Sequence, residues 1–287
     1  MLTECVINIS EGRDVDVIRD IADQAEATLL DVHTDPEHHR SVLTLGGQTD
    51  SIEEAARSVM STAVRRIDLG DHQGVHPRMG VVDVVPFVPL GPTGRIDTAI
   101  DARNRLAAWA GSDLELPCFL YGPERSLPDV RREAFRTLDP DTGPSTPHPT
   151  AGATAVGARP LLVAYNIWIT VSEGSEFDTA GAVGLARGIA SSIRSPSVRS
   201  LGLAVGSGAQ VSCNLIEPHA TDVATLFDTV SHLVDEAGGE VERAELVGLV
   251  PRELLTGVPP HRWAELDLSE ERTIEGRLAS VGVPVGW

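Results

Sequence analysis

The same succession of periodicities runs twice through this chain, and it limits the fold more than any single residue does. Residues 2–9 alternate as a strand, and Val15, Ile18, Ala22 and Ala25 follow at helical spacing. Residues 28–33 and 40–46 read as strands, and Gly46-Gly47 ends the second of them. Ile52, Ala55, Ala56, Val59, Ala63 and Ile67 mark one face of a long helix behind an acidic capping pattern, Asp50 and Glu53. Residues 80–88 form an apolar strand; a helix at 96–110, a strand at 116–121 and an arginine-rich helix near 129–135 come next. After residue 157 the order recurs. It runs as a strand at 161–170, a helix through Ala182, Leu185, Ala186, Ile189 and Ile193, and strands at 200–205 and 209–216. A helix through Val223, Leu226, Phe227, Val230, Leu233 and Val234, a strand at 245–250 and helices at 252–256 and 268–280 complete it. Element order repeats; residue identity does not.

Between the two passages, residues 139–157 carry Pro140, Pro144, Pro147 and Pro149 together with Gly143, Gly152 and Gly157. That composition places a boundary there, so the expected domains are 1–150 and 151–287. The expected fold is α+β: two α/β sandwich lobes, each roughly strand-helix-strand-strand-helix-strand. Helices pack on one face of a mainly antiparallel sheet, and a ligand cleft lies between the lobes. A linker of this composition usually has no other role, but glycines and hydroxyls also make loops that wrap ligands.

Charge and composition exclude several functions. The net charge of −19 argues against nucleic acid as a partner, because phosphate binding needs a positive footprint. A few local arginines could still hold a small anion. All 23 basic residues are arginine, so a Schiff-base lysine, a Walker-type phosphate loop and biotin or lipoyl attachment are ruled out. No apolar run is long enough to span a membrane, and the first residues lack a signal peptide's pattern. Cys5, Cys118 and Cys213 have no metal-type spacing and fit a reducing cytoplasm.

The chemistry-bearing stretch is Asp71-His72-Gln73-Gly74-Val75-His76-Pro77-Arg78-Met79-Gly80, opening onto the strand from Val81 to Phe87. Gly74 and Pro77 disfavour a continuous helix, so His72 and His76 sit on a loop. Imidazole is the side chain best suited to moving protons near neutral pH. On composition alone the plainer reading is a turn with two solvated histidines. Three other sites compete with it. His33, Asp35, His38, His39, His72 and His76 could hold zinc or manganese but follow no established ligand spacing, so no metal is expected. Gly206-Ser207-Gly208 precedes a strand rather than a helix and lacks the dinucleotide motif's third glycine. The cysteines lie in apolar runs and read as buried. Arg13, Arg40, Arg78 and Arg159 stand at strand edges and turns, where they could take carboxylates bidentately.

Glu4-Cys5-Val6-Ile7-Asn8-Ile9-Ser10-Glu11-Gly12-Arg13 resembles the E-C-V-P-N-F-S-E-G-R opening of the formiminotransferases. His76-Pro77-Arg78-Met79-Gly80, with Asp83 and Pro86-Phe87, resembles their H-P-R-M-G-x-x-D-V-x-P-F signature. Tyr121-Gly122, Gly157-Ala158-Arg159, Ala164-Tyr165-Asn166 and Leu246-Val247-Gly248-Leu249-Val250-Pro251 continue the likeness across nearly the whole chain. The resemblance implies a tetrahydrofolate-dependent formimidoyl transfer from N-formimino-glutamate, an enzyme of histidine breakdown without the cyclodeaminase module often fused to it. It places the catalytic histidine at His76 and the folate stretch on Gly143, Pro144, Ser145, Thr146, Pro147 and Gly152. Asn8, Arg13, Arg40, Arg78 and Arg159 are its substrate-binding candidates. It also implies a homodimer. Three places depart from the family pattern: Asp31-Val32-His33 stands for D-V-D, Thr146-Pro147-His148 replaces an apolar segment of the folate stretch, and Ala151 stands for a tryptophan. A relative acting on another donor, or binding without catalysis, is the alternative these departures raise.

Overall fold

Alternation along the strands of the first unit builds two different sheet faces. A computed structural model of the chain describes residues 1–72, 78–171, 179–206 and 208–285. In β1 (Leu2–Ile9), Cys5, Ile7 and Ile9 enter one apolar cluster, while Glu4, Val6 and Asn8 point the other way. α1 (Val15–Ala22) starts where the Asp14 side chain accepts the N–H groups of Asp16 and Val17. β2 (Leu29–Asp35), β3 (Arg40–Gln48), α2 (Thr49–Arg66), β4 (Val82–Pro89), α3 (Ile96–Asp113) and β5 (Cys118–Tyr121) come after it. α4 (Leu127–Glu133) begins on a reciprocal Ser126–Asp129 capping box, and β6 (Thr154–Ala158) completes the sheet.

The sheet has the order β2-β3-β1-β4-β6-β5. β2, β3, β1 and β4 pair antiparallel, whereas β6 runs parallel to both β4 and β5. α2 and α3 cover the face bearing Ile7, Leu43, Val85, Phe87 and Val156. Each such fully buried aliphatic or aromatic side chain contributes about 1.5–3 kcal/mol relative to exposure. α4 departs from the expectation of helices on one face: its Val130 packs with Val84, Phe119, Tyr121 and Ala155 on the opposite side. β6 is also new, because its residues were expected to belong to the inter-domain stretch. It is buried on both faces and inserted between two strands, so it shows no polar–apolar alternation to read.

In the second unit, β7 (Val163–Val171), α5 (Thr179–Ser192), β8 (Val198–Val205), β9 (Gly208–Leu215), α6 (Val223–Glu236) and β10 (Gly239–Val247) are followed by α7 (Arg252–Thr256) and α8 (Ile274–Ser280). Its sheet is wholly antiparallel, ordered β10-β7-β9-β8. Tyr165, Ile167, Val211 and Cys213 face α5 and α6. The helix expected at 268–280 begins only at Ile274, because the Thr273 hydroxyl accepts the Gly276 N–H and caps it there. β10 starts earlier than expected: its exposed charges and a bulge between Val241 and Arg243 hide the alternation. Compactness divides the chain into Met1–Pro160 with Leu278–Trp287, and Leu161–Arg277. Among the described residues, no helix is long and apolar enough to cross a membrane.

Candidate active-site corner of the first unit

β3 lies between β1 and β2, so the β2–β3 turn comes to rest over the loop that leaves β1. The approach is close enough to require glycine. A Cβ on Gly12 would stand 2.4 Å from the Asp35 carbonyl oxygen and 2.5 Å from the Arg40 nitrogen. Glu11 folds back so that its Oε1 accepts the N–H groups of Gly12, Arg13 and Asp14 at 2.9, 2.8 and 3.0 Å. The Arg13 Nε donates to the Pro36 carbonyl at 3.0 Å. Arg13 and Arg40 are thus fixed on one corner.

Three imidazoles share that corner. His38 hydrogen-bonds the Asp35 carboxylate through its ring Nδ1, and its backbone N–H donates to the same carboxylate at 2.9 Å. Burial pushes the Asp35 carboxyl up, but the His38 hydrogen bonds and the Arg40 charge outweigh it and hold the group at about 2. His39, in the left-handed region at φ 50°, accepts the Gly12 N–H on Nδ1 at 3.2 Å. Burial lowers its pKa, with Arg13 and Arg78 adding to the effect and Glu11 opposing it. The His72 ring lies 4.1 Å from the His39 ring, tilted by 38°. Its Nε2 donates to the His39 carbonyl oxygen at 2.9 Å, which leaves Nδ1 to accept from the Arg78 guanidinium.

His72 and Arg78 flank the stretch 73–77; His76 lies outside the described residues. The chain beyond Arg78 is pinned from two sides. A β-bulge sets Asn8 and Ile9 opposite Val84 and Val82, which makes Asp83 the extra residue. Buried Asp83 accepts the Met79 N–H at 2.7 Å and an Arg131 N–H at 2.5 Å. The second tie is to the stretch expected to take folate. Leu69 donates to the Thr150 carbonyl, Val81 to the Ala151 carbonyl and Ala153 to the Met79 carbonyl, at 2.8, 2.9 and 3.0 Å. Gly80 bridges Gly152, whose φ is 72° and whose absent Cβ would meet the Met79 carbonyl at 2.4 Å. His148 closes this turn, its Nδ1 accepting from Ala151 at 3.0 Å.

The remaining candidates lie on or near the same sheet. Gly143, Pro144, Ser145, Thr146 and Pro147 form an exposed run, held at its start by the Thr142 hydroxyl on the Ala107 carbonyl. Asn8 lies on the sheet face away from α2 and α3, with its Nδ2 on the Val6 carbonyl at 3.2 Å. Arg159 is apart from Arg13, Arg40 and Arg78. It sits just past the end of β6, where its N–H donates to the Phe87 carbonyl and its Nη1 to the Pro160 carbonyl at 3.0 Å. Burial pushes the Tyr121 hydroxyl up to about 12, with Arg159 opposing. Sequence reasoning missed Arg131 as the partner of Asp83; the bulge that joins them has no sequence signal.

Among the described residues, no group of three or more His, Cys, Asp or Glu is placed to hold a metal. Cys5, Cys118 and Cys213 are free and buried, and burial drives all three thiols up, the last two to about 12.

Comparison with known proteins agrees with this arrangement of motifs. Residues 2–159 match the model of the formiminotransferase domain, N-terminal subdomain. A glutamate formimidoyltransferase of Streptococcus pyogenes is 34% identical over 283 residues, covering 90% of this chain and 91% of its own. One from Thermoplasma acidophilum is 33% identical, covering 96% of this chain and 97% of its own. The mouse formimidoyltransferase-cyclodeaminase is 34% identical over 88% of this chain and 51% of its own length. A matched domain over more than half the chain, with relatives matched nearly end to end, establishes that the chain belongs to the formiminotransferase family.

Proposed function

We propose that the chain is a glutamate formimidoyltransferase, moving the formimino group of N-formimino-L-glutamate to N5 of tetrahydrofolate in histidine degradation and one-carbon metabolism. The observation that carries this reading is the 34% identity to a glutamate formimidoyltransferase over 91% of that enzyme's length. Tetrahydrofolate supplies the nucleophilic amine that receives the group.

His76 takes the proton lost by that amine and returns one to the departing glutamate nitrogen; such general acid–base help is worth about 10²–10⁴-fold. The contact between His72 and Arg78 on either side of this stretch supports the assignment. Arg13, Arg40 and Arg78 hold carboxylates of glutamate and the folate tail, and their gathering on one corner favours that role. Arg159 and Asn8 extend binding along the sheet face. Gly143, Pro144, Ser145, Thr146, Pro147 and Gly152 take the folate: the run is exposed, presents hydroxyls and proline edges, and is tied through Gly152 to Gly80. The protein acts on these small molecules in the cytoplasm as a homodimer. The test is glutamate release from N-formimino-L-glutamate by the purified chain. Release must require tetrahydrofolate; no release, or release without folate, contradicts the reading.

A second reading keeps the scaffold but changes the donor. His33 is opposite Val42, and Val42 is opposite Asn8, so His33 and Asn8 share one sheet face. A cationic amidine on that face would meet an imidazole instead of a carboxylate. If His33→Asp raises affinity for N-formimino-L-glutamate more than tenfold, this second reading is favoured.

A further inference from the structure

The proposed reaction uses Arg78 and His76 and gives no part to the ion pair that buried Asp83 makes with Arg131. α4 carries Arg131 to that position. The Ser126–Asp129 capping box fixes where the helix starts, and fully buried Val130 anchors it among Val84, Phe119 and Ala155. The next residue, Arg131, meets the bulge in β4. Its Nη2 donates to Asp83 Oδ2 at 2.5 Å, and its Nη1 reaches Oδ1 at 3.4 Å. A guanidinium that meets both oxygens sets the plane of the carboxylate as well as balancing its charge. Oδ1 is thereby aimed at one backbone group, the Met79 N–H, 2.7 Å away.

That N–H belongs to the peptide joining Arg78 to Met79, at the end of the His76 stretch. Met79 is held on its other side as well: its carbonyl accepts the Ala153 N–H at 3.0 Å, next to Gly152 of the proposed folate stretch. The Asp83 charge also reaches Arg78, where it opposes the lowering of the guanidinium pKa by burial. We infer that Arg131 is a positioning residue for the transfer reaction. It locks Asp83 onto the Met79 N–H and so sets the peptide from which the Arg78 side chain departs and at which the His76 stretch ends. The inference rests on the proposed function. A displacement of about 1 Å in a reacting group can cost on the order of 10²-fold in rate, so kcat is where the role of Arg131 is read.

The test is steady-state glutamate release by the full chain, with N-formimino-L-glutamate varied at saturating tetrahydrofolate, alongside hydrogen exchange at the Met79 amide. Arg131→Met lowers kcat by about ten- to hundredfold. The donor KM moves less than about threefold, because Arg13 and Arg40 stay in place, and the Met79 amide exchanges faster. Two double variants remove the buried charge that Arg131→Met leaves behind, and they decide the matter should that single variant fail to fold. Asp83→Asn with Arg131→Met keeps an oxygen for the Met79 N–H and brings kcat back to within about threefold of wild type. Asp83→Leu with Arg131→Met keeps the bulk but offers no acceptor, and stays about ten- to hundredfold slow. Thermal unfolding confirms the fold of each variant. A folded Arg131→Met chain with wild-type kcat, or equal kcat in the two double variants, overturns the inference alone. A wild-type chain that releases no glutamate overturns it together with the functional reading.

Discussion

Replacing Asp83 with Asn isolates the bulge that fixes the strand after the His76 stretch. Asp83 is 2% exposed and serves the Met79 N–H at 2.7 Å and Arg131 at 2.5 Å. Asn is isosteric but keeps one acceptor oxygen, so its NH₂ must face either a backbone N–H or a guanidinium. Removing one partner of a fully buried ion pair costs about 3–5 kcal/mol. The Arg131 side chain is 24% exposed and can turn to water, which reduces the loss to about 2–3 kcal/mol. Urea unfolding at pH 7 by circular dichroism should show that loss in the transition of the unit holding β4, with the other unit unaffected. Adding Arg131→Met should recover part of it, because the uncompensated guanidinium is removed as well; a coupling of about 0.5–3 kcal/mol is expected for side chains in contact. A loss within about 0.5 kcal/mol for Asp83→Asn, the usual effect of a surface change, would refute the argument. So would strict additivity of the two substitutions.

Other substitutions probe the same corner. His76→Ala should lower kcat by about 10²–10⁴-fold. Folate affinity and thermal unfolding should stay unchanged, and a wild-type kcat would remove His76 as proton carrier. Gly12→Ala drives a Cβ into the backbone at Asp35 and Arg40, and overpacking of this kind costs about 1–3 kcal/mol. Differential scanning calorimetry reads the loss, and a rise in KM for the donor should accompany it if Arg13 and Arg40 hold carboxylates. Burial, with Arg13 and Arg78, keeps the His39 pKa below its ordinary 6.5 in the folded chain. The unfolded chain therefore binds that proton first, and stability falls as pH drops below about 6.5. His39→Asn, which tolerates the positive φ, should flatten stability from about pH 7.5 down to about 5.5; an unchanged slope in urea melts would count against it. Asp35 has the opposite arrangement, its folded pKa of about 2 lying below the ordinary 3.8. Its contribution is complete above pH 3.8 and is lost as pH falls toward 2, and Asp35→Asn should remove that acid-sensitive part of the melt.

The strands and helices that present one face to water were legible because period 2 and period 3.6 survive in the sequence, as in β1 and α6. β6 was not. Thr154-Ala155-Val156-Gly157-Ala158 is buried on both sides, and its small residues answer packing: a Cβ on Gly157 would stand 2.1 Å from the Tyr121 ring. The candidate site was legible as a set of residues but not as a set of pairs. The motifs singled out His72, Arg78, Arg13 and Arg40. The stacking of His72 on His39 depends on β3 entering the sheet between β1 and β2. Likewise, the partnership of Asp83 with Arg131 depends on one extra residue in β4 and on α4 crossing to the other face.

The most direct measurement tracks the nitrogen. Donor labelled with ¹⁵N at the terminal imino position is incubated with tetrahydrofolate and the chain, and the products are weighed by mass spectrometry. Formimidoyl transfer places the label in the folate product and releases unlabelled glutamate in equal amount. Label recovered as ammonia, with the folate left unmodified, would mean hydrolysis and would contradict the account.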